Sequence, residues 1–163
     1  MADSGPPPIS QAERTRRQRR ASQIAHEFGF VGRVEYRHIY SQTGGAQYGL
    51  AASPKQDLLI VTAEAFDRDY DPDDFSLEAL LAHERGHQLL ARQERLSRNL
   101  PGDWAGGSEE IVASLLGSLL VKDEKDKQDL LLKALFEAKK HGLESDDAVL
   151  LLMELRSLLE KVL

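Results

Sequence analysis

The sequence predicts an α+β fold that is mainly helical. Three short runs with strand character precede residue 67, and Gly, Ser and Pro separate them. From Ser76 onward the apolar residues recur at helical spacing instead. A chain that collects its strands in one part and its helices in another is typical of the α+β class. We expect a small antiparallel three-stranded sheet followed by C-terminal helices.

Length and composition favour one domain. The chain has 163 residues, 41% of them hydrophobic and 29% charged, which is the ordinary range for a globular protein of one core. Residues 1–10 contain a triple proline and few large apolar side chains. We therefore predict a flexible tail over residues 1–10 and a single domain over residues 11–163.

Charge and cysteine content exclude several classes of function. The net charge is −6 and the pI about 5.4, which does not favour attraction of the whole protein to nucleic acid or to an anionic membrane. No segment approaches the ~18 apolar residues of a membrane span, and no apolar signal-peptide core is present. A cytoplasmic protein without a membrane partner is expected. Because there are no cysteines, a metal site would need histidines and carboxylates.

The first predicted element is a helix from Gln11 to about Phe28, and a cluster of arginines lies near its start. Such a cluster indicates either a solvated helix end or a contact with nucleic acid or an acidic partner. We favour the solvated end, because no aromatic residues are interleaved and the rest of the chain is acidic. The cluster consists of Arg14, Arg16, Arg17, Arg19 and Arg20.

The three strand-like runs are GRVEYRHIY, AQYGLAA and DLLIVTAEAF. The segments SQTGG and SPKQ between them are rich in turn formers, so an antiparallel meander is the simplest assembly. The first run alternates as a half-buried strand does, through Val34, Tyr36, His38 and Tyr40.

Four helices are predicted after the sheet. The first has Ser76 as its N-cap and extends through SLEALLAHERGHQLLARQERL. The segment SRNLPGDWAGG ends it, and Ser108 caps the next helix. Two amphipathic helices follow, roughly Glu124 to His141 and Asp146 to Val162, with Gly142 at the C′ position between them. Their leucines are expected to cover the domain, with a dimerising face as the alternative.

The run LLAHERGHQLL carries the chemistry. His83 and His87 are four residues apart, so on a helix their imidazoles share one face and point to a common position. Glu84 is rotated by about 100°, and its carboxylate leans over the open side of that position. A catalytic zinc takes three protein ligands and keeps a fourth position for a water, whose pKa the metal lowers toward neutrality. We predict two histidine ligands and a glutamate general base.

The third ligand must come from elsewhere in the chain. Glu109 and Glu110 open the next helix, and a helix packed antiparallel to the first would bring one of them to the histidines. The alternative for either residue is a carboxylate that favours the positive end of the helix dipole. Gly86, in the middle of the histidine helix, costs about 1 kcal/mol relative to Ala and predicts a close approach by the backbone of a neighbouring strand.

Over about residues 49–120 the chain resembles the zinc-peptidase family of ImmA and IrrE, intracellular enzymes of the gluzincin type. That family has strands leading into a helix with an L-A-H-E-x-G-H core, followed by a helix of the form E-x-x-A-(N/D)-x-F-A-x-x-L-L. Here the two motifs read LLAHERGH and EIVASLLGSLL. The resemblance implies a zincin-like metallopeptidase domain in which Glu110 joins His83 and His87 as the third zinc ligand and Glu84 is the catalytic base.

The chain also departs from the family. Ser114 stands where related enzymes often have an Asp or Asn that supports the ligands, so such support must come from another residue or be weaker. The proline that follows the leucine pair in the family is missing, and no helix-turn-helix domain is visible. Around Glu110, the segment GGSEEIVASLLGSLLV is similar to the glutamate-donating helix of thermolysin, with Gly117 in the matching place.

Three further features have less specific meanings. The acidic run DRDYDPDDFSLE has spacings close to a calcium-binding loop, but Pro72 occupies the position that needs glycine, so a solvated lead into the helix is favoured. Trp104 either lines the cleft or covers an apolar patch. Several side chains are candidate donors to an oxyanion, namely His38, Tyr36, Tyr40, Tyr48, Tyr70 and His141.

The residues and the resemblance together predict a Zn2+-dependent hydrolase that cleaves peptide bonds of an intracellular protein or peptide. DLLIVTAEAF is expected to be an edge strand with which an extended substrate would pair. The alternatives are a non-catalytic, metal-stabilised interaction module and a nucleic-acid-associated regulator that uses RTRRQRR. The sequence specifies no oligomeric state.

Overall fold

The computed structural model describes residues 5–41, 44–67, 75–99, 109–142 and 144–163. The chain forms two compact units, Met1–Leu81 and Ala82–Leu163, and the division falls inside the histidine-bearing helix. The predictions about Tyr70, Trp104 and Ser108, and most of the acidic run, lie outside the described residues. The single domain expected from the length stays a prediction.

The elements follow the predicted order. In the first unit lie α1 (Gln11–Glu27), β1 (Arg33–Arg37), β2 (Ala46–Gly49) and β3 (Leu58–Thr62), with short 3-10 turns at Pro54–Gln56 and Ala63–Ala65. Helix α2 (Leu77–Arg92) crosses the division, and α3 (Glu94–Asn99), α4 (Glu109–Leu120), α5 (Glu124–Lys140) and α6 (Ser145–Val162) complete the second unit. The mainly helical α+β class is confirmed. The long helix predicted through QERL is wrong in extent, because α2 ends at Arg92 and α3 is a separate short helix.

The helix ends explain these boundaries. The Ser10 side chain accepts a hydrogen bond from the backbone N–H of Glu13 at 3.0 Å and begins α1. Ser76 does the same for Ala79 at 3.0 Å, as predicted, and begins α2. Gly142 has a φ of +89°, the left-handed conformation that ends a helix and that glycine adopts without strain.

The sheet is mixed, so the predicted antiparallel meander is wrong. The strand order is β1-β3-β2, with β3 parallel to β1 and antiparallel to β2. The prediction that DLLIVTAEAF forms an edge strand is also wrong, because β3 pairs on both sides. Turn residues mark where strands end, but they do not specify which strands become neighbours. The most apolar strand takes the centre, where Leu59 and Val61 are fully buried.

Helix α1 covers the outer edge of β1. The Gln18 side chain donates to the carbonyl oxygen of Val34 at 2.8 Å and accepts from the backbone N–H of Tyr36 at 2.7 Å. Successive residues of a strand direct their backbone groups to opposite sides. The backbone N–H of Arg33 donates to the carbonyl oxygen of Asp57, just before β3, so the backbone groups of Val34 and Tyr36 point away from β3. The amide of Gln18 therefore replaces a neighbouring strand and closes that edge.

The arginine cluster on α1 is largely engaged within the first unit. Arg17 is buried, donates to the Tyr36 hydroxyl at 2.8 Å and pairs with Glu13 at 2.9 Å. Arg16 also pairs with Glu13, and Arg20 pairs with Glu78 at 2.7 Å. The sequence favoured a solvated helix end, and Arg17 departs from it because it is buried. Three of the five arginines make ion pairs within the first unit, and a contact of the cluster with nucleic acid or an acidic partner stays an alternative.

The second unit is built around α4. Every residue from Ile111 to Ser118 is buried, as expected for a helix that is apolar on all sides and surrounded by others. Helices α5 and α6 pack against α4 and contribute Ala134, Leu152 and Leu155 to its core. Among the described residues, no helix is long and apolar enough to cross a bilayer.

Candidate metal centre

Two glycines bring the backbones of α2 and α4 almost into contact. A Cβ added at Gly86 would lie 2.3 Å from the carbonyl oxygen of Ala113, and one at Gly117 would lie 3.1 Å from the backbone nitrogen of His83. Because the residue later in α2 meets the residue earlier in α4, the two helices run antiparallel at this point. Gly86 was predicted to mark a close backbone approach. The approach is there, but the neighbour is a helix and not a strand.

The antiparallel contact brings together donor groups of three residues. The Nε2 atom of His83 lies 2.9 Å from Glu110 Oε2, the Nε2 atom of His87 lies 3.2 Å from Glu110 Oε1, and the two Nε2 atoms are 3.2 Å apart. Ligands at about 2.0–2.2 Å from a tetrahedral zinc are separated from one another by roughly 3.3 Å. Two imidazole nitrogens and a carboxylate oxygen are also ligands that zinc accepts. The donors therefore fit one zinc ion in both spacing and chemistry.

Glu84 lies beside these donors. One carboxylate oxygen of Glu84, one ring nitrogen of His83 and one ring nitrogen of His87 all lie within 4.8 Å of one another. Only 7% of Glu84 is exposed, whereas the Glu110 side chain is 51% exposed. The arrangement thus combines a buried carboxylate, that of Glu84, with a half-exposed one, that of Glu110.

The outer nitrogens of the two histidines have different partners. The Nδ1 atom of His83 lies 2.9 Å from the hydroxyl oxygen of Ser114, which is fully buried. The Nδ1 atom of His87 lies 3.0 Å from Glu109 Oε1. The sequence predicted that support of the ligands would come from a residue other than Ser114 or would be weaker, whereas Ser114 itself contacts His83. Glu109 was considered only as a ligand or a helix-end charge. The sequence does offer one signal for this contact. Glu109 precedes Glu110 at the start of α4, so a helix that brings Glu110 to the two histidines also brings Glu109 close to them.

Nearby carboxylates raise the pKa of His87. Burial disfavours the charged form of His87, but the hydrogen bond to Glu110, the nearby charge of Glu84 and the hydrogen bond to Glu109 outweigh it and raise the pKa of His87 to about 9. Hydrogen bonds from His83 and His87 hold the pKa of the Glu110 carboxyl well below its usual range. Without metal, the cluster therefore holds a protonated His87 against an ionised Glu110 at neutral pH.

We expect zinc binding to release at least one proton per site at pH 7.5. A raised pKa means that His87 is protonated below about 9, and zinc takes only the neutral imidazole. The apparent zinc affinity should therefore fall by about tenfold per pH unit as the pH decreases below 9, for each proton displaced. Calorimetric titrations with zinc in buffers of different ionisation enthalpy measure the released protons. Zinc uptake without proton release would contradict this account of His87.

The other residues singled out in the sequence have local partners. The Tyr36 hydroxyl lies 2.8 Å from His38 Nδ1, and Tyr48 donates to the buried carboxylate of Asp57 at 2.7 Å. Asp67 and Glu78, the described ends of the acidic run, pair with Arg17 and Arg20. His141, the candidate oxyanion donor in the second unit, is the C-cap residue of α5. These side-chain contacts give Tyr36, Tyr48, Asp67 and Glu78 roles within the fold of the first unit.

The chain matches no known family profile, no curated protein and no solved structure.

Proposed function

We propose that this protein is a zinc-dependent peptidase of the gluzincin type, with His83, His87 and Glu110 as the zinc ligands and Glu84 as the general base. The observation that carries the proposal is the convergence of the Nε2 atoms of His83 and His87 with the two carboxylate oxygens of Glu110. Each nitrogen lies 2.9–3.2 Å from one of these oxygens and 3.2 Å from the other nitrogen, beside the buried carboxylate of Glu84. A cytoplasmic protein or peptide is the substrate that the resemblance to ImmA and IrrE implies.

Each residue has a separate task. A bound zinc ion would supply Lewis acidity, which activates a water and polarises the substrate carbonyl. Glu84 takes a proton from the attacking water on its carboxylate oxygen and returns it to the nitrogen of the leaving amine as the peptide bond breaks. Ser114 and Glu109 hold the rings of His83 and His87 through their outer nitrogens.

The different exposure of Glu84 and Glu110 suits their proposed roles as general base and zinc ligand. Burial of Glu84 limits competition from bulk water for its proton. Exposure of Glu110 leaves one side of the centre accessible to a peptide.

Removal and return of the metal test the proposal. The zinc-loaded protein is expected to cleave members of a quenched-fluorescent peptide library, to lose this activity with 1,10-phenanthroline and to regain it with zinc but not with magnesium. Cleavage that is insensitive to the chelator would contradict the proposal. A protein that zinc stabilises against unfolding but that cleaves nothing would support the non-catalytic, metal-stabilised interaction module instead.

A further inference from the structure

We infer that Glu109 is a positioning residue for His87, whose carboxylate fixes the ring proton on Nδ1 and so directs Nε2 to the metal. This inference rests on the proposed function, because it concerns a ligand of the same centre. It assigns a task to a residue that neither binds the metal nor touches the reacting atoms.

The carboxylate of Glu109 constrains the ring it contacts. An ionised carboxylate accepts hydrogen bonds and cannot donate one. Glu109 Oε1 lies 3.0 Å from His87 Nδ1, so Nδ1 must carry the hydrogen of this contact. A zinc ion would displace the proton of His87 Nε2. The ring would then be neutral, with its hydrogen on Nδ1 and its lone pair on Nε2, the atom that lies 3.2 Å from both Glu110 Oε1 and His83 Nε2.

His83 has no such constraint. Its Nδ1 atom meets the hydroxyl of Ser114 at 2.9 Å, and a hydroxyl both donates and accepts. Ser114 is therefore compatible with either tautomer of His83. Of the two histidines, His87 is the one whose tautomer is set by its outer partner.

The position of Glu109 in the first turn of α4 has a second, simpler explanation. Acidic residues in the first turn of a helix interact favourably with its dipole, whether or not they contact anything else. Glu124 offers a comparison within the same unit, because it opens α5 as Glu109 opens α4. A carboxylate oxygen of Glu124 lies 3.8 Å from Lys127 Nζ, and within the described ranges Glu124 has no hydrogen bond or ion pair with an imidazole. Both glutamates lie in the first turn of a helix, and of the two it is Glu109 that contacts a histidine.

Three variants separate these roles. We expect E109A to bind zinc 10- to 100-fold more weakly than the wild type, the usual effect of losing an outer partner of a metal-bound histidine. E109Q should bind within a few fold of the wild type, since its amide oxygen still accepts from Nδ1. E124A should leave zinc affinity unchanged. Competition with a chromophoric zinc chelator measures all three.

A spectroscopic readout reports the contact directly. In the zinc-loaded wild type, the His87 Nδ1–H should give a ring N–H signal protected from exchange with water in 15N-edited NMR spectra. The signal should persist in E109Q and E124A and be lost in E109A.

The possible results have distinct meanings. Equal zinc affinity of E109A and the wild type, or an equal loss in E109A and E124A, would overturn the inference and leave the zinc centre intact. A loss in E109Q as large as in E109A would also overturn it, because charge and not the hydrogen bond would then be responsible. A wild-type protein that binds no zinc would overturn the proposed function itself, and the inference with it.

Discussion

The E84Q variant is expected to bind zinc as tightly as the wild type and to hydrolyse peptides about 10²- to 10⁴-fold more slowly, the contribution usual for a general base. Glutamine has nearly the shape of glutamate, so the packing of this buried side chain is retained. Its amide cannot take up the proton of the attacking water. Because the donors that fit zinc come from His83, His87 and Glu110, the exchange leaves the metal ligands in place.

The matched control for this variant is E78Q. Glu78 is on the same helix and undergoes the same change, but it lies in the first turn and pairs with Arg20. E78Q should keep both zinc and activity. Zinc content and the initial rate of peptide cleavage, measured on the same samples, give the answer. Equal rates for E84Q and wild type would remove Glu84 from the mechanism, and loss of zinc in E84Q would make it a ligand.

The second large effect is expected from G86A, which should destabilise the protein and weaken zinc binding even though alanine favours the helix. The propensity gain is about 1 kcal/mol. Against it stands a Cβ placed 2.3 Å from the carbonyl oxygen of Ala113, a backbone atom that cannot rotate away. Overpacking of this kind costs typically 1–3 kcal/mol and sometimes more, so we expect a net loss of up to about 2 kcal/mol.

The effect on the metal follows from the size of the displacement. Relieving the contact requires α2 and α4 to separate by roughly 1 Å, whereas metal–ligand distances tolerate only about 0.2 Å. G117A is the matched control, because a Cβ there meets backbone atoms at 3.1–3.2 Å and needs a much smaller adjustment. Chemical denaturation and chelator competition measure both variants. A G86A protein that is more stable than the wild type and binds zinc normally would contradict the close contact.

The sequence predicted the helices better than the sheet for a physical reason. Caps and breakers act locally, so Ser76 and Gly142 marked real helix ends. Strand neighbours are chosen by burial across the whole unit. The parallel pairing of β1 with β3 therefore depends on the path of the chain between Arg37 and Leu58. Turn residues such as those in SPKQ do not determine that path.

At the candidate site, what depends on helical period was predictable and what depends on helix register was not. His83 and His87 share a face because they are four residues apart, which any helix guarantees. The contact between Glu109 and His87 requires the offset of α4 along α2, and that offset is set where Gly86 meets Ala113. A glycine in a helix indicates a close neighbour, but it does not name the neighbour or its register.

X-ray absorption at the zinc edge is the most direct test of the central claim, which is that His83, His87 and Glu110 hold one zinc ion. With one equivalent of zinc, the wild type should show two imidazoles and oxygen ligands at about 2.0–2.2 Å, and E110A should bind zinc far more weakly. A wild-type protein that binds no zinc, or an E110A protein with the same affinity and the same spectrum, would contradict the claim.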